Sequence, residues 1–295
     1  MDRYKNTLFS IYKNSKYFEE AISYTFDRSG FLPELIEKDY YCSLILNYLF
    51  QDNDINLVFK GGTCLSKVYT NFYRMSEDLD FVIPVKPNIS KNARRQLVKP
   101  VKQKLVNLIN EYSCFSIQNE LTGYNVSKQY IGVLSYNSVI ESAKKTGEIK
   151  IEIGMREELI QDVDWMQTST LLIDPFKEKK VIPDFKTQCL SLEEVYAEKF
   201  RAALSRREPA IRDYFDIFYA VSNLKIGFLN KKFLKLVEQK LDVPDNDPID
   251  ISNMRKKELQ LQIETELKPF LRPEDFNKFD FEIAFRIIEK IMKKI

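Results

Sequence analysis

Two stretches decide the fold: Ile55-Asn56-Leu57-Val58-Phe59-Lys60-Gly61-Gly62-Thr63, and further on Arg74-Met75-Ser76-Glu77-Asp78-Leu79-Asp80-Phe81. The short apolar run Ile55 to Phe59 ends at two adjacent glycines, and Thr63 to Phe72 then returns to helical spacing. Leu79, Phe81 and Ile83 alternate with Asp78, Asp80 and Val82, so the order reads strand, glycine turn, helix, strand. The chain holds only 8 glycines in 295 residues, and two of them are spent side by side here. Glycines between a strand and a helix let the backbone approach a ligand, and the first amides of the helix then point at an anion such as a triphosphate. Lys60 and Thr63 add a cation and a hydroxyl; the same sequence also fits a plain tight turn.

Asp78 and Asp80 are two apart, which on a strand places both carboxylates on one face with Cα atoms about 7 Å apart. Two anions beside apolar residues are costly without a cation, and such a pair can flank divalent ions. A solvated acidic strand is the alternative. The third carboxylate of such a set is Glu152, on the polar side of Ile149-Lys150-Ile151-Glu152-Ile153; Lys150 on the same side is also an ordinary salt-bridge neighbour for it.

Outward from this centre the pattern is helical on both flanks. Tyr4 to Phe26 and Pro33 to Phe50 read as helices, with Ser29-Gly30 between them. Ile89 to Asn110 reads as a basic helix kinked or split at Pro100. Strands are expected at Cys114 to Glu120, Gln129 to Leu134 and Glu148 to Gly154. After Pro183 come helices near Leu192 to Ser205, Pro209 to Asn223, Lys231 to Leu241, Ile249 to Leu267 and Phe281 to Ile295. The expected architecture is α+β, with a mixed sheet in residues 1–190 behind N-terminal helices and a helical region over 191–295.

Composition removes whole classes of chemistry. Histidine is absent, which excludes Ser-His-Asp hydrolases, Cys-His proteases and histidine-ligated zinc. Lys and Arg total 45 against 43 Asp and Glu, so nucleic acid must be met by a local patch and not by a global field. With 44% hydrophobic and 13% aromatic residues the chain folds. Four widely spaced cysteines read as reduced thiols, no apolar stretch reaches membrane-spanning length, and the start of the chain lacks a signal-like apolar core; a soluble cytoplasmic protein is expected.

The apolar stripe Leu192, Val195, Tyr196, Phe200, Ala203, Leu204 has Lys199 at the remaining i+7 position. An ammonium there needs an anion, a carboxylate or a phosphate, unless it snorkels from the edge. On the next helix Asp213 and Asp216 share one edge and can also pair with Arg206, Arg207 or Arg212. Between Lys91 and Lys104 stand Lys91, Arg94, Arg95, Lys99, Lys102 and Lys104 with no acid, a candidate RNA-binding patch or a solvated helix face.

The glycine turn and Arg74 to Phe81 together resemble motif I of the minimal nucleotidyltransferases, specifically the AbiEii/AbiGii toxins within the DNA polymerase β-like superfamily; Glu37-Lys38-Asp39-Tyr40 is similar to that family's N-terminal helical segment. The resemblance runs from about residue 30 to 225. It implies a polymerase β-like core, an NTP substrate and Mg²⁺ held by Asp78, Asp80 and Glu152, with Gly61, Gly62 and Ser76 cradling the triphosphate. It further implies that Ala197-Glu198-Lys199-Phe200-Arg201 supplies a catalytic lysine, Lys199, and that Arg212-Asp213-Tyr214-Phe215-Asp216 supplies an aspartate, Asp213, with Asp216 beside it. The implied activity is that of a phage-defence toxin moving NMP onto an acceptor, the tRNA 3′ end, another RNA or a protein, opposed by a cognate antitoxin. The competing expectation is a catalytically silent relative that binds or regulates a partner in a two-gene defence locus.

Overall fold

The computed structural model describes residues 10–52, 54–140 and 145–295. The chain divides into two compact units, one of residues 1–158 and 163–190, the other of 159–162 and 191–295.

In the first unit a short 3₁₀ turn, Ile11–Lys13, precedes helix α1 (Ser15–Ser29), whose N-terminus is capped by the Asn14 side chain accepting from the Tyr17 amide and which stops at Gly30 in the left-handed region (φ 72°). The expected start of this helix at Tyr4 lies outside the described residues; Asn14 sets the start within them. Helix α2 (Pro33–Phe50) begins on a proline and is buried along most of its length. Strand β1 (Val58–Lys60) runs directly into the short helix α3 (Gly61–Cys64), which widens into a π-helical turn at Leu65–Tyr69 and ends in left-handed Asn71 and Phe72. Strand β2 (Leu79–Val82) follows, then α4 (Lys91–Glu111), β3 (Phe115–Tyr124), β4 (Gln129–Asn137), β5 (Thr146–Gly154), β6 (Asp164–Thr168) and β7 (Phe185–Cys189).

The seven strands make one mixed sheet in the order β3-β4-β5-β2-β1-β7-β6. At its centre β2 pairs antiparallel with β1 and parallel with β5, in register. Leu79, Phe81, Ile151 and Ile153 are buried, whereas Lys60, Asp80 and Glu152 are half-exposed on the alternating positions. The tilted rings of Phe59 and Phe81 are 5.6 Å apart, and Phe50 of α2 lies 6.2 Å from Phe81, so the apolar face of the central strands is covered by α2.

Three expectations change. Helix α4 is not split at Pro100, which sits exposed on its outer face, where water can satisfy the carbonyl that loses its hydrogen bond. The strands β6 and β7 add two members beyond the expected set: Asp164-Trp165-Met166-Gln167-Thr168 and Phe185-Lys186-Thr187-Gln188-Cys189 carry too few aliphatic residues to announce themselves. The helix expected over Ile249 to Leu267 begins at the Ser252 cap and turns π-helical at Ile263–Leu267.

The second unit holds α5 (Leu192–Ser205), α6 (Ile211–Ser222), α7 (Lys231–Leu241), α8 (Asn253–Gln262), α9 (Pro273–Lys278) and α10 (Phe281–Met292). Its core joins Phe200, Phe228 and Phe233, and Tyr214 stacked on Phe285 at 5.9 Å. Buried Lys240 binds Glu194 at 2.7 Å and Glu198 at 3.1 Å. Glu194 also accepts from the amides of Ile160 and Gln161, which fastens residues 159–162 to this unit. No described helix is long and apolar enough to cross a membrane, and all four cysteines are free thiols.

Candidate active site

The register across β1, β2 and β5 sets Lys60, Asp80 and Glu152 in one row, Lys60 opposite Asp80 and Asp80 opposite Glu152. Neighbouring strands lie about 4.8 Å apart, so the row carries two carboxylates and an ammonium across about 10 Å of sheet. Asp78, one residue before β2, is half-exposed beside them.

The glycines are required by what touches them. Gly61 has φ +77°, and a Cβ there would fall 2.8 Å from the Cβ of Asp80, with the Asp80 carboxylate closer still. A Cβ on Gly62 would meet a guanidinium nitrogen of Arg74 at 2.5 Å and the Ser76 hydroxyl at 3.1 Å. The turn therefore packs its bare backbone against Asp80 on one side and against Arg74 and Ser76 on the other. Arg74 is 2% exposed and donates to the Met75 carbonyl at 2.8 Å, so a cation lies beneath the helix start. Sequence reading placed Arg74 within the motif without a role; only the fold reveals that it turns back under Gly62.

Thr63 is buried, and its hydroxyl donates to the Asp78 carbonyl at 2.5 Å. That side chain ties the start of α3 to the acidic segment and faces away from solvent. Helix α2 braces the same segment. Lys38 binds Glu77 at 3.1 Å, and the Cys42 thiol reaches the Glu77 carbonyl at 3.9 Å. Lys67, on the π-helical turn after α3, is fully buried and binds Asp39 at 2.5 Å and the Ser43 hydroxyl at 2.9 Å.

Glu152 is engaged on both oxygens, by Lys150 at 2.8 Å and by the Gln129 amide at 2.7 Å. Burial works to raise its pKa, but the bond and charge of Lys150, the Gln129 amide and the charge of Lys60 hold the carboxyl below its usual range. For Lys150, burial works to lower the pKa, and its bond to Glu152 with the charges of Glu152, Asp78 and Asp80 raises it. One ammonium thus feels all three carboxylates. Among the described residues Asp78, Asp80 and Glu152 do not close into a metal-ligating cluster, since Glu152 is turned to Lys150 and Gln129. Carboxylate oxygens are nevertheless the hard ligands that a divalent ion such as magnesium or manganese takes, and the raised pKa of Lys150 marks positive charge as favoured beside them.

In the second unit Lys199 binds Asp213 at 2.7 Å and Asp216 at 2.8 Å, and Arg206 reaches the other Asp213 oxygen at 3.3 Å. Asp216 is fully buried and Asp213 is 4% exposed. The lysine in the apolar stripe is therefore paired with both aspartates of the next helix, and neither was separable from the other by spacing alone. Burial works to raise the Asp213 carboxyl, while Lys199 and Arg206 together hold it below the usual range.

The basic run resolves into two sets. Arg94 is 3% exposed and donates to the carbonyls of Met155, Ile89 and Pro87, so it belongs to the framework and not to a nucleic-acid surface. Lys104 is likewise buried, paired with Asp54 at 2.5 Å. Lys91, Arg95 and Lys99 are exposed at successive i+4 positions, with half-exposed Lys102 continuing the row, 5.7 Å from the Tyr130 ring.

The family model "Nucleotidyl transferase AbiEii toxin, Type IV TA system" matches residues 45–286, well over half of the chain. No curated protein is significantly similar in sequence. Among solved structures the chain is similar to MenT4, a nucleotidyltransferase toxin from Mycobacterium tuberculosis, at 15% identity and TM-score 0.56 over 94% of this chain and 98% of that one. It is also similar to JHP933 from Helicobacter pylori, at 15% identity and TM-score 0.51 over 89% and 92% of the two chains. At such identity the likeness speaks of the fold.

Proposed function

The chain belongs to the AbiEii nucleotidyl transferase toxin family, and on that premise we propose that it transfers NMP from an NTP to the 3′ end of an RNA, with tRNA as the acceptor, as the toxin of a two-gene phage-defence system. The observation that carries the reading is the Lys60, Asp80 and Glu152 row set against a glycine turn that admits no side chain between itself and Asp80.

In this reading the amides at the start of α3, with Gly61, Gly62 and Ser76, receive the triphosphate, supported by Lys60 and by the buried Arg74 guanidinium. Asp78, Asp80 and Glu152 would hold Mg²⁺. When bound, that ion supplies charge neutralisation on the phosphate oxygens and acidifies the attacking hydroxyl. The hydroxyl oxygen attacks the α-phosphorus as its proton is lost to solvent, a new P–O bond forms there, and the bond from that phosphorus to the β-phosphate oxygen breaks to release pyrophosphate. The chain's own part is positional and electrostatic: oriented amides, fixed carboxylates and cations aimed at the triphosphate. Lys199, fixed by Asp213 and Asp216, serves the same reaction as a phosphate-binding or proton-handling group. Thr63 serves by anchoring Asp78.

The exposed row Lys91, Arg95, Lys99 and Lys102 is the proposed path of the acceptor backbone, a sequence-independent and salt-sensitive contact. Four free thiols support action in the reducing cytoplasm.

The test is transfer of label from an NTP to total tRNA in the presence of Mg²⁺. Wild type is expected to label RNA and Asp80→Ala to label none while keeping its fold. Equal label in the two proteins would refute the assignment, and an inert wild type would favour a silent binding partner.

A further inference from the structure

The only tryptophan in the chain, Trp165, stands on β6, an edge strand of the sheet, with its ring 5.9 Å from that of Phe50 at the end of α2. Together with Phe185 they line an open recess of about 480 Å³, whose remaining walls are Asn47, Gln51 and Lys186. Such a volume matches small-ligand sites, which span about 300–1,000 Å³.

The recess is distinct from the glycine turn. Strand β7 runs parallel to β1 with Cys189 beside Phe59. Phe185 therefore lies about 13 Å back along its strand, at about 3.3 Å per residue, on the side away from Gly61.

We propose that this recess binds an unstacked nucleobase of single-stranded RNA, with Lys186 on the adjoining phosphate. The proposal rests on the reading of the protein as an RNA-modifying transferase. Aromatic rings at the wall offer stacking to any base, and side-chain amides offer both donors and acceptors to base edges. Asn47 and Gln51 supply those amides, and among the described residues Gln51 is tied to Asp52 by a long 3.5 Å contact. Lys186 is exposed and enters no ion pair among the described residues; the nearby Asp52 is bridged to Lys104. An apolar protein segment would strip water from two amides and an ammonium without replacing their partners, whereas a nucleotide matches all three.

Because Trp165 is the single tryptophan, its emission reports this recess alone. Full-length Asp80→Ala protein, which binds without turning over, is titrated with short oligoadenylate while tryptophan fluorescence is followed. Saturable quenching is expected, weakened about fivefold or more by Phe185→Ala, as loss of one stacking partner entails. Lys186→Glu, an exposed change that leaves packing intact, weakens it further as salt is lowered.

Emission that stays constant at RNA concentrations that saturate binding on a filter would overturn the proposal. So would quenching in both variants equal to that of the parent, or emission that answers to the cognate antitoxin and not to RNA. Transfer activity without quenching defeats the recess alone. Quenching by RNA in a wild-type protein devoid of transfer upholds the recess and defeats the enzymatic reading.

Discussion

A methyl group at position 61 has two costs: it enters a left-handed backbone and it pushes on the Asp80 side chain. Gly61→Ala is expected to lose about 1–2 kcal/mol of stability from the backbone alone, read in urea unfolding, and to lose transfer far beyond that. A variant that keeps full activity would show that Asp80 need not stand where it does. Lys199 separates charge from chemistry. Its removal as Lys199→Ala leaves two buried carboxylates facing each other and should cost about 3–5 kcal/mol. Lys199→Arg should recover most of that stability without recovering turnover; recovery of both would reduce Lys199 to a counter-ion. Asp213 is held below its usual carboxyl range by Lys199 and Arg206. Its contribution to stability is present above the unfolded value of about 3.9 and disappears as pH falls through the lower folded value. Thermal unfolding followed into acid should thus decline more steeply for wild type than for Asp213→Asn, and parallel declines would contradict the pairing.

Helix α2 holds the glycine-turn region from behind, through Lys38 on Glu77 and Asp39 on Lys67. Asp39→Ala strands a fully buried ammonium on the π-helical turn, so a loss of about 3–5 kcal/mol is expected in denaturant titration; a loss below 1 kcal/mol would mean that the turn relaxes freely. This brace was invisible in the sequence because its partners lie 28 positions apart. What periodicity could show was the strand, turn, helix, strand order and the polar and apolar faces of β5, since alternation is local. It could not show β6 and β7, whose residues mix aromatic, polar and charged types, nor that Pro100 would leave α4 unsplit. Within the basic run, residue type alone could not tell Arg94, spent on three carbonyls, from the exposed Arg95 beside it. The acidic centre was legible because carboxylates between apolar residues are expensive and therefore conspicuous; the lysine that answers them, Lys150, was legible only as a neighbour.

Across the whole molecule the charges nearly cancel, 45 against 43, so the proposed contact with RNA depends on the few cations that share a face. Reversing two of them in Arg95→Glu with Lys99→Glu should raise KM for the acceptor and leave kcat unchanged, and the difference from wild type should shrink as salt is added. A fall in kcat at unchanged KM would place the acceptor elsewhere. The most direct measurement of the central claim follows the label itself: wild type is supplied with NTP labelled on either the α- or the γ-phosphate, together with Mg²⁺ and tRNA. The account predicts α-label in the RNA, γ-label only in released pyrophosphate, and neither reaction in Asp80→Ala. Label from the γ-position in the RNA, or α-label incorporated equally by Asp80→Ala, would contradict it.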